Sequence, residues 1–171
     1  MLELHLLRHA KSSWQDASLD DFARPLAPRG EAAAPRMGAY MAAHGIKPQM
    51  ILCSAANRTR QTLALILPHL PGNPTVEFED GLYLATAAGL LARIRKVRAR
   101  TTSLMLVGHD PGMHGLAVEL AGRGEAADLA RLAHKFPTAA LAVISFGASQ
   151  WSKIEPKAGK LESFMFPRLL D

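Results

Sequence analysis

The chain contains five short apolar runs with strand character, and segments of helical composition separate them. The runs cover residues 2–8, 49–53, 75–78, 103–107 and 138–146. Strands that alternate with helices form a mainly parallel sheet with helices on both faces. The pattern therefore predicts an α/β fold, a single three-layer α/β/α domain of residues 1–171 built on a mainly parallel central sheet.

Helices are predicted between these runs, at residues 29–44, 57–69, 86–98 and from Pro111 to about residue 121. Asn57 is a favourable N-cap residue for the second helix. Pro35 is expected in the first turn of the first helix or at a kink in it. Near the C-terminus, residues 151–155 and 161–166 also have strand character and are expected at a sheet edge or in a hairpin.

Composition excludes several classes of protein. Hydrophobic residues make up 49% of the chain, yet no apolar run approaches the roughly 18 residues of a membrane span. The first apolar run lacks the basic flank and cleavage site of a signal peptide. Cys53 is the only cysteine, which excludes an internal disulfide and a cysteine-based zinc site. We therefore expect a cytoplasmic protein with no membrane partner, no metal and no cofactor.

The net charge is +5, from 20 lysines and arginines against 15 acidic residues. The cations are scattered apart from one dense cluster, formed by Arg93, Arg95, Lys96, Arg98 and Arg100. Because no aromatic residues interleave with this cluster for base stacking, we interpret it as the solvated end of a helix. We expect a monomer that binds no nucleic acid, and the positive bias would help to attract a phosphorylated substrate.

Four residues able to contact an anion follow three of the predicted strands. Arg8 and His9 come after the first strand, Arg58 comes shortly after the second, and His109 follows the fourth. Because ligands of parallel sheets bind outside the carboxyl ends of the strands, we expect these side chains to meet. Each residue alone is more typical of a structural or surface position, but their coincidence predicts a phosphoryl pocket.

The residue types suit phosphoryl transfer. Two guanidinium groups can bind phosphate oxygens bidentately and neutralise the dianion without a metal. Helix N-termini near Asn57 and Pro111 would add backbone donors. A neutral imidazole can attack phosphorus and form a phosphohistidine that water then hydrolyses.

The motifs that carry these residues resemble those of the histidine phosphatase superfamily, which has the phosphoglycerate mutase-like fold. The matching segments are LLRHAKS (the RHG motif, with Ala10 where glycine is usual), RPLAPRG at 24–30, SAANRTRQT at 54–62, LYLA at 82–85 and VGHDPGM at 107–113. Within the superfamily the chain is similar to the short SixA-type phosphohistidine phosphatases. The resemblance covers most of the chain.

The resemblance implies a role for each site residue. His9 would be the nucleophile, Arg8 and Arg58 would hold the phosphoryl group, and His109 would stabilise it during transfer. Arg24 matches an arginine thought to reach the phosphate, with a salt-bridged arginine that fixes the loop as the alternative.

Two further residues are expected to bind substrate. Lys11 and Ser12 follow the nucleophile directly and are expected to line the pocket.

The sequence departs from the family at the general acid. Larger members carry a glutamate soon after the third strand, where this chain reads GLYLATAAG. Glu79, Asp80 and Asp110 are the candidate substitutes. An alkoxide needs a proton to leave, whereas protonated imidazole leaves readily, so the missing acid favours a phosphohistidine substrate.

The preferred hypothesis is therefore a hydrolase of protein phosphohistidine. A phosphatase acting on a small phosphorylated molecule and a non-catalytic phosphate-binding regulator remain the alternatives.

Overall fold

A seven-stranded sheet forms the centre of the structure, a computed structural model that describes residues 1–171. The strands are β1 (Leu2–Arg8), β2 (Met50–Ser54), β3 (Thr75–Glu79), β4 (Ser103–Gly108), β5 (Ala121–Gly124), β6 (Leu141–Phe146) and β7 (Gly159–Met165). Their order across the sheet is β3-β2-β4-β1-β6-β7-β5. Four of the six neighbouring pairs are parallel, and the pairs of β6 with β1 and β7 are antiparallel. The predicted mainly parallel sheet is confirmed.

Helices cover both faces of the sheet, as the α/β pattern predicts. They are α1 (Pro28–Ala43), α2 (Asn57–Ile66), α3 (Ala87–Arg95), α4 (Gly112–Leu120) and α5 (Ala126–His134). Residues of α3, α4 and α5 join one apolar core, and residues of α1 and α2 join the other. Strand β1 supplies both cores, since Leu4 and Leu6 face the first and Leu7 faces the second. None of the helices has the length and apolar character needed to cross a membrane.

The prediction for residues 151–155 was wrong. Trp151–Lys153 forms a 3₁₀ turn, with Trp151 and Ile154 both buried. Their spacing of three residues matches one 3₁₀ turn and places both side chains on the same side, whereas an extended strand would point them to opposite faces. The indole nitrogen of Trp151 donates to the backbone oxygen of Thr101, which fixes the turn against the loop before β4.

Two elements had no predicted counterpart. Strand β5 has the sequence AGRG, which contains no β-branched or aromatic residue, and it forms because β7 offers a free edge. Helix α5 was missed although Leu129 and Leu132, three residues apart, have helical spacing and pack on the core.

The helix starts also differ from the sequence-based expectations. Ala56, not Asn57, occupies the N-cap of α2, and the Asn57 amide instead donates to the Ala23 backbone oxygen over 3.0 Å. Pro35 lies inside α1 and not in its first turn, so of its two expected roles the kink stays a prediction. The contact from Asn57 ties the segment before α1 to the start of α2.

The carboxyl ends of β2, β4 and β1 lie side by side. Arg8 at the end of β1 pairs with Gly108 at the end of β4, and Cys53 in β2 pairs with Val107. The three loops that follow these strands therefore leave the sheet at the same edge, which places their side chains around one depression.

Two glycines hold these loops close to neighbouring backbone. A Cβ added to Gly30 would lie 2.1 Å from the Lys11 carbonyl oxygen, and one added to Gly112 would lie 2.0 Å from that of Ala85. Only glycine fits at such approaches. Gly30 thus packs the first turn of α1 against the loop after His9.

Candidate active site

A cavity of about 340 Å³ opens at the shared carboxyl edge of β1, β2 and β4. All seven residues singled out from the sequence line it: Arg8, His9, Lys11, Ser12, Arg24, Arg58 and His109. They come from segments up to about a hundred residues apart along the chain, so the topology of the sheet is what brings them together.

His9 is held with one ring nitrogen engaged and the other free. Its Nδ1 is 2.7 Å from the backbone oxygen of Ala10, which can only accept a hydrogen bond, so Nδ1 carries the proton of the neutral ring. The backbone N–H of Ala10 donates to Thr62 Oγ1 over 3.0 Å and fixes this turn. Nε2 makes no hydrogen bond within the protein. It is therefore the nucleophilic atom that the ring offers to the pocket.

The surroundings keep His9 neutral. Burial lowers the pKa of His9 to about 3, although the hydrogen bond to Ala10 opposes this shift. The nearby His109, Arg58 and Arg8 lower the pKa further, because a second positive charge beside them is unfavourable. The unprotonated ring is the form that can attack phosphorus.

Arg8 and Arg58 are anchored but not saturated. Arg8 donates from Nη1 to the Phe136 backbone oxygen over 2.8 Å, and Asp110 lies 3.6 Å from the same nitrogen. Arg58 donates to the backbone oxygen of Asp21 over 2.7 Å and to its carboxylate over 3.0 Å. Each guanidinium has five N–H groups, so both retain donors after these bonds are made.

Arg24 lies in the same pocket and is buried. It donates to the Ser12 hydroxyl, lies 3.6 Å from the Asp21 carboxylate, and stacks over the ring of Trp14, whose centroid is 3.3 Å from Cζ. Arg24 therefore fixes its loop and also lines the pocket, while its contact with the phosphate stays a prediction.

Buried donors without partners gather at this cavity. Of seven buried side-chain nitrogens that lack a hydrogen bond, five belong to lining residues: Arg8 Nε, Arg24 Nε and Nη1, Arg58 Nε and His109 Nδ1. Such atoms are rare in folded proteins and mark places with a further role. No group of three or more His, Cys, Asp or Glu side chains is placed to hold a metal ion. The donors suit an anion.

His109 faces His9 across the pocket, with 5.3 Å between the ring centroids. Its Nε2 is 2.8 Å from the hydroxyl oxygen of Ser54, the last residue of β2. Burial, followed by the charge of Arg58, lowers the pKa of His109 to about 4. Ser54 therefore positions a neutral imidazole beside the nucleophile.

Asp21 is the functional candidate that sequence reasoning missed. It lines the cavity, binds Arg58 and accepts a hydrogen bond from the Tyr83 hydroxyl. The bond from Tyr83 is the main reason why the pKa of Asp21 is below its usual value, and Arg58 lowers it further. The carboxylate is thus ionised near neutral pH. The one signal was its place in the sequence, since Asp21 lies three residues before Arg24, just ahead of the matched segment 24–30.

The carboxylates considered earlier as substitutes for the general acid separate into two groups. Asp110 lines the pocket, where its Oδ1 accepts the His114 backbone N–H over 3.2 Å. Glu79 instead forms an ion pair with Arg93 at 2.8 Å, and neither Glu79 nor Asp80 lines the pocket.

The lowered pKa of His9 gives a pH dependence that differs from that of an ordinary histidine. We expect kcat/KM, corrected for ionisation of the substrate, to stay level between about pH 7.5 and about pH 5. The free ring remains unprotonated over this interval because its folded-state pKa is about 3, below the usual 6.5. Steady-state kinetics across this range are the measurement. A tenfold or greater loss governed by a group with pKa near the usual histidine value would contradict it.

Comparisons with known proteins agree with this geometry. Residues 4–83 match the family model for the histidine phosphatase superfamily, branch 1. The chain is 37% identical over 164 residues to the uncharacterised protein Rv1276c of Mycobacterium tuberculosis, covering 95% of this chain and 100% of that protein.

Solved structures of SixA proteins are also similar. The SixA protein of Agrobacterium tumefaciens has 31% identity and a TM-score of 0.82, with 97% of this chain and 98% of that chain covered. The SixA protein of Nakamurella multipartitia has 27% identity and a TM-score of 0.84, with 97% and 96% covered.

Proposed function

Because the chain belongs to the histidine phosphatase superfamily, and within it to the SixA-type branch, we propose that it hydrolyses phosphohistidine on proteins. Family membership makes it a phosphatase that acts on phosphorylated substrates. The free Nε2 of His9, in a pocket with Arg8, Arg24 and Arg58, carries the proposed phosphoryl transfer. The ionised carboxylate of Asp21 carries the choice of phosphohistidine as the substrate.

The first step transfers the phosphoryl group to His9. The Nε2 lone pair attacks phosphorus while the bond between phosphorus and the substrate imidazole breaks, and that imidazole takes up a proton from solvent. Arg8 and Arg58 stabilise the charge on the equatorial oxygens, and the neutral His109 contributes a further polar contact. The chain's own cations supply the charge stabilisation in this step.

The second step returns His9 to its starting form. Water attacks phosphorus, the bond to Nε2 breaks, and inorganic phosphate leaves. The water releases its proton to solvent, and Nε2 recovers its lone pair. The hydrogen bond from Nδ1 to Ala10 keeps the ring in the same orientation throughout.

The state of Asp21 supports a phosphoramidate substrate. Its carboxylate accepts bonds from Tyr83 and Arg58 and is ionised, so it has no proton to give to a leaving alkoxide. A protonated imidazole leaves without such help, whereas a serine alkoxide does not.

Exposed apolar side chains at the pocket support a protein-borne substrate. Trp14 is 73% exposed and Leu84 is 51% exposed, and both line the cavity. Large apolar side chains beside a binding site are typical of surfaces that contact another protein.

Asp110 favours a second candidate function, hydrolysis of a phosphomonoester with this residue as general acid. Its carboxyl group reaches the cavity, and Asp21 does not compete for the role because it is ionised. The same carboxylate lies 3.6 Å from Arg8, so it is held beside one of the groups that bind the phosphoryl group.

The leaving group tests these alternatives. We compare peptides of one sequence that carry phosphohistidine or phosphoserine, with p-nitrophenyl phosphate as a phosphoester whose leaving group needs no proton. We expect kcat/KM for the phosphohistidine peptide to exceed that for phosphoserine by about 100-fold or more, because general acid catalysis is missing. p-Nitrophenyl phosphate should be hydrolysed, which controls for phosphate binding.

The Asp110→Asn variant separates the two candidate functions. Under our proposal the variant hydrolyses the phosphohistidine peptide within about threefold of the unchanged protein, since no proton from Asp110 is used. A preference for phosphoserine that Asp110→Asn removes would reverse the assignment.

A further inference from the structure

A second cavity of about 740 Å³ lies beside the catalytic pocket. We call it the basic groove, because six lysines and arginines line it: Lys11, Arg29, Arg36, Arg131, Lys135 and Arg168. Asp171 is the only acidic residue in its lining. The groove is therefore a concave, strongly positive surface.

Most of this charge is unpaired. Arg36 forms an ion pair with Asp171 at 2.6 Å, and Arg131 forms one with Asp128 at 3.2 Å. The other four cations make no ion pair with any carboxylate of the chain. Like charges that line a concave surface repel each other, and they focus a positive potential that attracts anions.

The groove is continuous with the catalytic pocket. Lys11 and Thr138 line both cavities. The next residue after Thr138, Ala139, donates its backbone N–H to the His9 carbonyl oxygen over 2.9 Å. The Lys11 carbonyl accepts from the Ala27 backbone over 2.9 Å, which places the start of α1 against the same loop. The walls of the groove thus hold the loop that carries the nucleophile.

The six cations are distributed along the length of the groove and do not converge on one point. Arg29 and Arg36 lie two turns apart on α1, a rise of about 10 Å. Arg131 belongs to α5, Lys135 follows it, and Arg168 lies in the last 3₁₀ turn. A single phosphate would contact only part of this set. Alternate residues of an extended peptide lie roughly 6.5 Å apart, which suits several carboxylates along the groove.

We propose that the basic groove binds an acidic segment of the phosphoprotein substrate while its phosphohistidine occupies the catalytic pocket. This inference rests on the proposed function and adds how the substrate is selected. A protein segment fits better than a nucleic acid, because Phe166 is the only Phe, Tyr or Trp in the lining and the groove offers no series of stacking platforms. Such docking lowers KM and leaves the chemical step unchanged.

Two synthetic phosphohistidine peptides of equal length test the inference, one flanked by glutamates and the other by glutamines. The unchanged protein should hydrolyse the glutamate peptide with about tenfold higher kcat/KM, through KM, and added salt should reduce the difference. Phosphoimidazole, which has no flanking residues, reports the chemistry alone.

Charge reversal locates the effect. The double variant Arg29→Glu, Lys135→Glu changes the groove and leaves the residues that line the catalytic pocket untouched. The control, Arg98→Glu, Arg100→Glu, makes the same change in net charge in the loop before β4, at the opposite edge of the sheet. Equal melting temperatures establish that both variants fold.

We expect the groove variant to lose the preference for the glutamate peptide and the control variant to keep it. The unchanged protein and both variants should hydrolyse phosphoimidazole equally. Equal hydrolysis of both peptides by the unchanged protein would overturn the inference alone. If the groove variant lost as much kcat/KM on phosphoimidazole as on the glutamate peptide, the inference would also be overturned. The same holds if the unchanged protein and the control bound a single-stranded oligonucleotide tightly and the groove variant did not. Hydrolysis of p-nitrophenyl phosphate but of neither peptide would reject the proposed function itself.

Discussion

Replacement of His9 by alanine should lower kcat for a phosphohistidine peptide by about 10⁴-fold or more and abolish the covalent intermediate. Nε2 of His9 is the ring nitrogen that makes no hydrogen bond within the protein, and burial together with the nearby arginines keeps it unprotonated. His109 cannot replace it readily, because its Nε2 is engaged with Ser54 and its Nδ1 is buried. Single-turnover kinetics with the labelled peptide measure the loss.

The matched control is His44→Ala, which removes an exposed histidine at the end of α1. This variant should retain full turnover. Binding of inorganic phosphate to the His9→Ala protein shows that the pocket still forms. If His9→Ala kept a tenth of the original kcat, another residue would be the nucleophile and the mechanism would be wrong.

Removal of the Arg58 side chain gives the second large effect. Arg58→Ala should lower kcat/KM by about 10³-fold, mainly through kcat, because Arg58 stabilises charge that develops on the phosphoryl oxygens during transfer. Arg58→Lys should recover only part of this loss, since an ammonium keeps the charge but lacks the planar fork. Separate determination of kcat and KM for both variants is the measurement.

Arg60→Ala is the control for Arg58. Arg60 lies on the same helix, but its Cζ packs 4.1 Å from the ring centroid of Phe78, away from the pocket. Its loss should change kcat/KM by less than about threefold. A similar small effect for Arg58→Ala in a folded protein would remove Arg58 from the account.

The parts of the site that were predictable follow from strand ends. Arg8 ends β1, His9 and His109 directly follow β1 and β4, and neighbouring parallel strands end at one edge of the sheet. Local sequence and one topological rule were therefore enough to bring them together. The same holds for Arg58, which enters the pocket from the first turn of α2.

Asp21 could not be placed in this way. It lies in a short 3₁₀ turn, and its position depends on contacts with Arg58 and Tyr83, which are 37 and 62 residues away in sequence. The basic groove had the same difficulty, because α1, α5 and the last turn contribute its charges. A pattern read along the chain does not reveal such distant contacts until the fold is known.

Sequence patterns also failed to predict the irregular strand β5 and the start of β6. Strand β5 lacks apolar alternation and forms only because β7 offers a free edge. The predicted strand 138–146 begins later, at Leu141, since the preceding residues form a turn in which Ala139 has a φ of 61°. Tertiary contacts decided both cases.

The central claim is that Nε2 of His9 carries the phosphoryl group during turnover. The most direct test is to quench the reaction with alkali, which preserves phosphohistidine, and to locate the phosphate by mass spectrometry and ³¹P NMR. We predict acid-labile phosphate on His9, attached at Nε2. Phosphate on another residue or on Nδ1, or turnover with no phosphoenzyme at all, would contradict the account.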